Sequence, residues 1–373
     1  MIKSVQPSMP DYESYIDEIK DIWDTKVLTN NGPKVQKLQK QIQAYMGCKS
    51  VDLFVNGHSA LVIAMRALEL EGEVLTSPFT FVSTINAIEQ NGLKPVFCDI
   101  DDSYNVDVGR LEGYITARTC AIVVPHIFGI PCRVGEIEKI ASKHCLKVIY
   151  DGAQAFGTKI GDRHIGSFGD VTMFSLHAIK IYNAIEGGLL VYSDGTLREK
   201  FELYRNFGIS YGDGSNDVPV CGINAKMNEF QAAMGILGLD IVEKEIGLRK
   251  ALAQLYIAKL KEIEGVRTYP YEKGISYNYA YFPVRVNRDE FGMSRDELFL
   301  ALKDRGIMTR KLYDRLCCDY SYYQEKHYRK DVVHAHKVSD ETLDLPLYGG
   351  LQAEEVEHVC NMISMIQNQK RWF

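Results

Sequence analysis

From residue 51 to about residue 200 the chain alternates short apolar runs with stretches of helical spacing. Val51-Asp52-Leu53-Phe54-Val55, Lys94-Pro95-Val96-Phe97-Cys98 and Ala121-Ile122-Val123-Val124 come first, and residues 146–150, 171–175 and 188–192 follow. Strands separated by helices return to one sheet by crossing over its face, so this order predicts an α/β fold with a mostly parallel sheet flanked by helices. Ligands bind such sheets beyond the carboxyl ends of the strands. Residues 56–59, residues 99–102, His126 and Asp151 all fall at such ends.

The flanking segments differ in pattern. Residues 11–24 read as an amphipathic helix and residues 28–33, Leu-Thr-Asn-Asn-Gly-Pro, as a turn. Val35, Leu38, Ile42 and Tyr45 recur at helical spacing until Gly47. Residues 59–70 and 227–262 are helical in pattern. Beyond Gly265, strands at 266–269 and 279–286, a helix at 294–304 and a helical tail at 352–369 describe a smaller α+β domain. At 373 residues the chain exceeds one ordinary domain. The boundary is expected near residue 245, giving a large domain at 1–245 and a small one at 246–373.

Bulk composition excludes several classes of function. The net charge is -6 and no basic block stands out, which argues against nucleic acid as a partner. No run approaches the ~20 apolar residues that span a bilayer, so no membrane association and a cytoplasmic location are expected. Nine cysteines without a CxxC pair read as reduced thiols, the adjacent Cys317 and Cys318 included. His334 and His336 lack companions for a ligand set, so no metal is expected.

Asp151 ends the apolar run 146–150, and Ser175-Leu176-His177-Ala178-Ile179-Lys180 is followed by Glu186-Gly187-Gly188. Singly, such residues are a turn acid, a capping hydroxyl and a surface charge. Together they suit pyridoxal 5'-phosphate. Lysine condenses with the aldehyde and later shuttles a proton, the acid keeps the pyridine nitrogen protonated, and serine reaches the phosphate. Lys180 and Asp151 are the expected catalytic residues. Asn56-Gly57-His58-Ser59 joins a strand to a helix, where backbone N–H groups and the helix dipole can cradle a phosphate. Gly57 would allow close approach, Ser59 would add a hydroxyl, and Phe81 could stack on the ring.

These runs resemble those of the DegT/StrS group of fold-type I nucleotide-sugar aminotransferases. The likeness covers nearly the whole chain. It takes in residues 28–33, Asn56-Gly57, residues 78–84, Asp99-Ile100-Asp101, residues 126–132, Asp151-Gly152-Ala153-Gln154, Ser175 to Lys180, Glu186-Gly187-Gly188, residues 205–208, residues 222–232 and residues 278–283. The resemblance implies a homodimer with shared sites. It implies Gln154 near the cofactor's phenolic oxygen and Asn224 on the neighbouring subunit's phosphate. It implies L-glutamate as amino donor, pyridoxamine 5'-phosphate as the intermediate form, and a nucleotide-linked keto-sugar as acceptor. Thr29, Asn30, His177, Glu186, Arg310 and Tyr313 fall where substrate contacts are expected.

The run Ser-Leu-His-Ala-Ile-Lys with Glu-Gly-Gly is most similar to enzymes that aminate C4 of a 4-keto-6-deoxy hexose. Residues 28–33 and 278–283 are most similar to the viosamine-forming branch. That branch converts dTDP-4-keto-6-deoxy-D-glucose to dTDP-4-amino-4,6-dideoxy-D-glucose, which implies a place in lipopolysaccharide O-antigen biosynthesis. The alternatives are amination at C3, a UDP- or GDP-linked sugar, and a non-catalytic binding or regulatory dimer. A dehydratase of this fold would carry histidine in place of Lys180. The chain departs from the group's pattern at His58, where threonine is usual, at Gly152, where alanine is usual, and in residues 310–315. His58 is therefore expected to give the phosphate at most one further donor.

Overall fold

The computed structural model describes residues 1–211, 216–326, 328, 330 and 332–370. Seven strands form the central sheet: β1 (Ser50–Phe54), β2 (Glu73–Thr76), β3 (Lys94–Phe97), β4 (Thr119–Pro125), β5 (Lys147–Asp151), β6 (Val171–Ser175) and β7 (Gly188–Tyr192). Their order across the sheet is β1-β7-β6-β5-β4-β2-β3. The pairs from β3 through β6 are parallel, while β7 runs antiparallel to both β6 and β1. Strands β1 and β6 therefore point the same way, and Phe54 and Ser175 both pair with Gly188. Six carboxyl ends thus meet on one edge, as the alternating pattern requires.

The chain reverses direction across the sheet after β3, so β4 lies on the other side of β2. Such a switch opens a crevice at the carboxyl ends. Strand β2 was not expected from the sequence. It has only Val74 and Leu75 as apolar residues, and it is buried because its neighbours cover it. The buried Glu73 accepts a hydrogen bond from Thr116 Oγ1 at 2.7 Å and pairs with Arg118.

Some boundaries differ from expectation, the strand expected at 279–286 beginning at Phe282. The helix expected at 59–70 is Gly57–Ala67, because the Asn56 side chain accepts from Ser59 N and starts the helix earlier. The helix expected at 11–24 is two pieces, Tyr12–Ile19 and Asp21–Thr25. Ile19 and Ile22, on either side of the break, join one apolar cluster with Ala233.

The helix Glu229–Leu260 opens with a reciprocal cap between Asn228 and Gln231. Its first half, with Ala232, Ile236 and Val242, lies in the core around the seven-stranded sheet. Its second half, with Leu252, Ala253, Tyr256 and Leu260, belongs to a second core. There it meets a three-stranded antiparallel sheet of β8 (Val266–Thr268), β9 (Phe282–Val286) and β10 (Thr342–Leu345). Ile2 joins this second core, since its backbone bonds to Gly306 and Met308.

Candidate active site

Beyond the carboxyl ends of the central sheet lies a cleft of about 460 Å³. Asp151, Ser175 and Lys180 line it together. Asp151 is 7% exposed, and three donors fix it. Its Oδ2 accepts from Thr84 Oγ1 at 2.6 Å, its Oδ1 accepts from Ala153 N at 3.0 Å, and its carbonyl accepts from His126 N at 2.9 Å. Ser175 closes β6, and its Oγ accepts from His177 N. A tight turn follows, with Lys180 N donating to His177 O and Ala184 N to Leu176 O. That turn aims the half-buried Lys180 at the cleft.

His126, one residue past β4, is fully buried, and burial pushes its pKa down to about 3. The neutral ring accepts from Cys132 N on Nδ1 at 3.0 Å, so Nε2 carries the proton. That Nε2 has no hydrogen-bond partner among the described residues. The ring stacks on Tyr150, with centroids 4.7 Å apart.

The helix start is used differently from the sequence expectation. Asn56, Gly57 and His58 line the cleft, and Ser59 does not. The Ser59 N–H is already engaged by Asn56 Oδ1 at 2.8 Å. His58 turns to the next helix: Nδ1 meets Ser83 Oγ at 2.9 Å and Nε2 meets Gln90 Oε1 at 3.2 Å. Gly57 fits closely against its own sheet, since a Cβ there would lie 3.0 Å from Met173 Sδ and 3.1 Å from Ser175 Cβ. At Gly152 a Cβ would lie 2.9 Å from Met173 O, which gives the departure from alanine a backbone cause.

Phe81 lines the cleft and is 63% exposed, so it is no core aromatic. Gln154 is held at both ends: Oε1 accepts from Phe128 N, and Nε2 donates to Tyr313 Oη at 2.8 Å. Burial raises the Tyr313 hydroxyl well above its ordinary pKa. Arg310 faces the cleft beside Tyr281. His177 Nε2 and Glu186 Oε1 are 3.5 Å apart at the rim.

Besides Ser59, three expected residues stand apart from this cleft. Thr29 and Asn224 are exposed, and Asn30 lines a separate cavity of about 590 Å³ with Arg205, Asn206 and Lys226. Among the lining or supporting residues given no role from the sequence are Thr84, Tyr281 and His126. Position at a strand end marked His126. No local signal could have joined Thr84 to a carboxylate 67 residues away. His334 and His336 face Asp102 and Asp319 at 3.2 and 3.5 Å.

A family model for the DegT/DnrJ/EryC1/StrS aminotransferases matches residues 11–364. The chain belongs to that family. It is thus a pyridoxal-phosphate-dependent sugar aminotransferase of fold-type I. Two relatives carry the name dTDP-4-amino-4,6-dideoxy-D-glucose transaminase. The one from Shigella dysenteriae is 38% identical over 364 residues, covering 97% of this chain and 98% of its own. The one from Escherichia coli is 36% identical over 367 residues, with 97% and 98% covered. Among solved structures, DesI in the presence of its TDP-sugar product superposes with a TM-score of 0.93 at 29% identity, over 99% of this aminotransferase and 94% of DesI. No helix among the described residues of this aminotransferase is long and apolar enough to cross a membrane.

Proposed function

We propose that the enzyme moves the amino group of L-glutamate to dTDP-4-keto-6-deoxy-D-glucose, giving dTDP-4-amino-4,6-dideoxy-D-glucose. The observation that carries this is the convergence of Asp151, Ser175 and Lys180 in one cleft, in a chain more than a third identical to two transaminases of that name. The donor set fits pyridoxal phosphate: a fixed carboxylate, an amine, a hydroxyl beside a helix start, an exposed aromatic ring, and the unpartnered N–H of His126. When bound, the cofactor supplies an electron sink for the carbon that loses its proton.

Each role falls to a residue whose surroundings suit it. Asp151, oriented by Thr84 and Ala153, would hold the proton on the ring nitrogen. Ser175 Oγ and the N–H groups at Gly57 and His58 would take the phosphate, with Ser59 supporting the turn through its engaged N–H. Phe81 would cover the ring, and Gln154 and Tyr313 would form the wall beside its phenolic oxygen. Lys180 Nζ removes the α-proton of the amino donor and delivers a proton to the sugar carbon being aminated. His177, Glu186 and Arg310 contact substrate at the rim.

The working form is a homodimer in the cytoplasm. Trp23, Leu28, Ile179, Ile185, Phe207 and Tyr211 are large side chains left exposed in the single chain, and Ile179 and Ile185 flank the lysine turn. A second copy would cover them and present Thr29, Asn30 and Asn224 to the neighbouring cleft.

The purified enzyme, supplied with pyridoxal phosphate, glutamate and dTDP-4-keto-6-deoxy-D-glucose, should release 2-oxoglutarate and a 4-amino sugar nucleotide identified by NMR. The Lys180→Ala variant should release neither. A wild-type enzyme that aminates only 3-keto, UDP-linked or GDP-linked sugars would overturn the substrate assignment.

A further inference from the structure

The Lys and Arg side chains lining the cleft, among the described residues, are Lys180 and Arg310. Lysine is committed to proton transfer, so Arg310 is the remaining fixed positive charge. Its setting is unusually constrained. Arg310 and Asp344 exchange both backbone hydrogen bonds, N to O at 3.0 and 2.8 Å, so their side chains lie side by side. Arg310 Nε and Nη2 both donate to Asp344 Oδ2, at 2.9 and 2.6 Å. Asp344 is fully buried, and its Oδ1 accepts from Phe282 N at 3.0 Å. The guanidinium carbon lies 5.0 Å from the Tyr281 ring centroid.

We propose that Asp344 is a positioning residue that turns Arg310 into the oxyanion receptor of the cleft. This rests on the aminotransferase reading above and names the group that reads its anionic substrates. A guanidinium that gives its Nε and Nη2 edge to one carboxylate directs Nη1 the other way. Nη1 has no protein partner among the described residues. The side chain is only 21% exposed, so an anion met by Nη1 in the cleft is less screened than at an open surface. Asp344 is absent from the cleft wall and reaches the cleft through Arg310. A buried ion pair adds little net stability over an apolar pair of the same shape, whereas an oriented, charge-retaining donor has a clear use here. Burial works against the charge on Arg310, and Asp344, with Tyr281 and Tyr313, more than offsets it, raising the guanidinium pKa. The ligand chemistry is a substrate oxyanion, either the carboxylate of the amino donor or the diphosphate of the sugar nucleotide.

The test measures binding of two probes, 2-oxoglutarate and TDP, to the full-length holoenzyme by calorimetry, beside steady-state kinetics. Asp344→Asn keeps the shape and the acceptor for Phe282 N but removes the charge that orients the arginine. It should weaken one probe by about tenfold or more and raise KM for the matching substrate, with kcat changed far less. Weakening confined to 2-oxoglutarate assigns the carboxylate, and weakening confined to TDP assigns the diphosphate. Should Asp344→Asn not fold, the double variant Arg310→Gln with Asp344→Asn removes both charges and should fold while binding the same probe weakly. Arg310→Lys should recover part of the affinity in the Asp344 background. Either folded variant binding both probes as wild type does would overturn the proposal, as would a wild type that binds neither. A wild type that binds both probes yet does not aminate the dTDP sugar would refute the substrate assignment and leave this role standing.

Discussion

Asp151 illustrates how a functional group depends on neighbours that carry no chemistry of their own. Thr84 Oγ1, 2.6 Å from Oδ2, is the side-chain donor that sets the carboxylate plane. Thr84→Val removes it without changing shape, and kcat should fall by about tenfold with an unaltered circular dichroism spectrum. An unchanged kcat would reduce the threonine to packing. His126 makes a different prediction, about acid. Its folded pKa of about 3 lies below the ~6.5 of an unfolded imidazole. As pH falls, the unfolded chain binds the proton first. The His126 contribution is therefore complete above about pH 6.5 and drains at ~1.4 kcal/mol per pH unit down to about pH 3. Urea midpoints should drop between about pH 6.5 and 5 by an amount equivalent to about 2 kcal/mol from this group. His126→Asn, which keeps an acceptor for Cys132 N, should flatten that part of the curve. Equal slopes in both proteins would show that the histidine is not buried neutral.

At the scale of elements, side chains from one segment secure the start of another. Glu229, 1% exposed at the head of the long helix, accepts from Lys34 N at 2.8 Å and Val35 N at 3.1 Å. These are free donors in the first turn of the helix Pro33–Met46. Glu229 N also donates to Leu28 O, so one residue ties down both ends of the 28–33 turn. Asn30 and Asn31 sit in that turn with φ of 64° and 59°, a conformation asparagine tolerates better than most residues. Glu229→Ala should cost about 2 kcal/mol, read as a lower thermal midpoint, and Glu229→Gln should cost less because it keeps an acceptor. Alanine and glutamine variants of equal stability would show the acceptor to be unimportant.

For the molecule as a whole, the long helix is the shared member of both cores, and Arg249 is its main stitch. This side chain is 1% exposed. It pairs with Glu245 at 2.7 Å and donates to the carbonyls of Ala280 and Leu347 at 3.3 and 3.2 Å. Glu245 in turn accepts from Gly349 N. Arg249→Met leaves the largely buried Glu245 carboxylate without its counter-charge and two carbonyls without their donor, and should cost about 3–5 kcal/mol in urea unfolding. A loss below about 1 kcal/mol, the range of an exposed ion pair, would place the guanidinium in water. The same region carries Ala280, Tyr281 and Phe282, so a loosened stitch should also raise KM before it unfolds the chain.

Local periodicity determined a good deal of this protein. Alternating apolar runs and helical spacing are enough to specify a mostly parallel sheet, and with it the edge where Asp151, Ser175 and Lys180 collect. Each of these sits at a strand end or one turn beyond it, and the surrounding runs carry the family likeness. Strand β2 escaped detection because its burial comes from the strands on either side and not from its own composition. Strand β10 was missed as well, with Thr342 and Asp344 alternating with its two leucines. Only the tertiary structure decided that Thr84 meets Asp151, that His58 turns to Ser83 and Gln90, and that Arg310 lies against Asp344. Those pairings join residues far apart in the chain, or choose among several acceptors within reach. Their outcome depends on strand register and on where each helix comes to rest on the sheet, which no local pattern encodes.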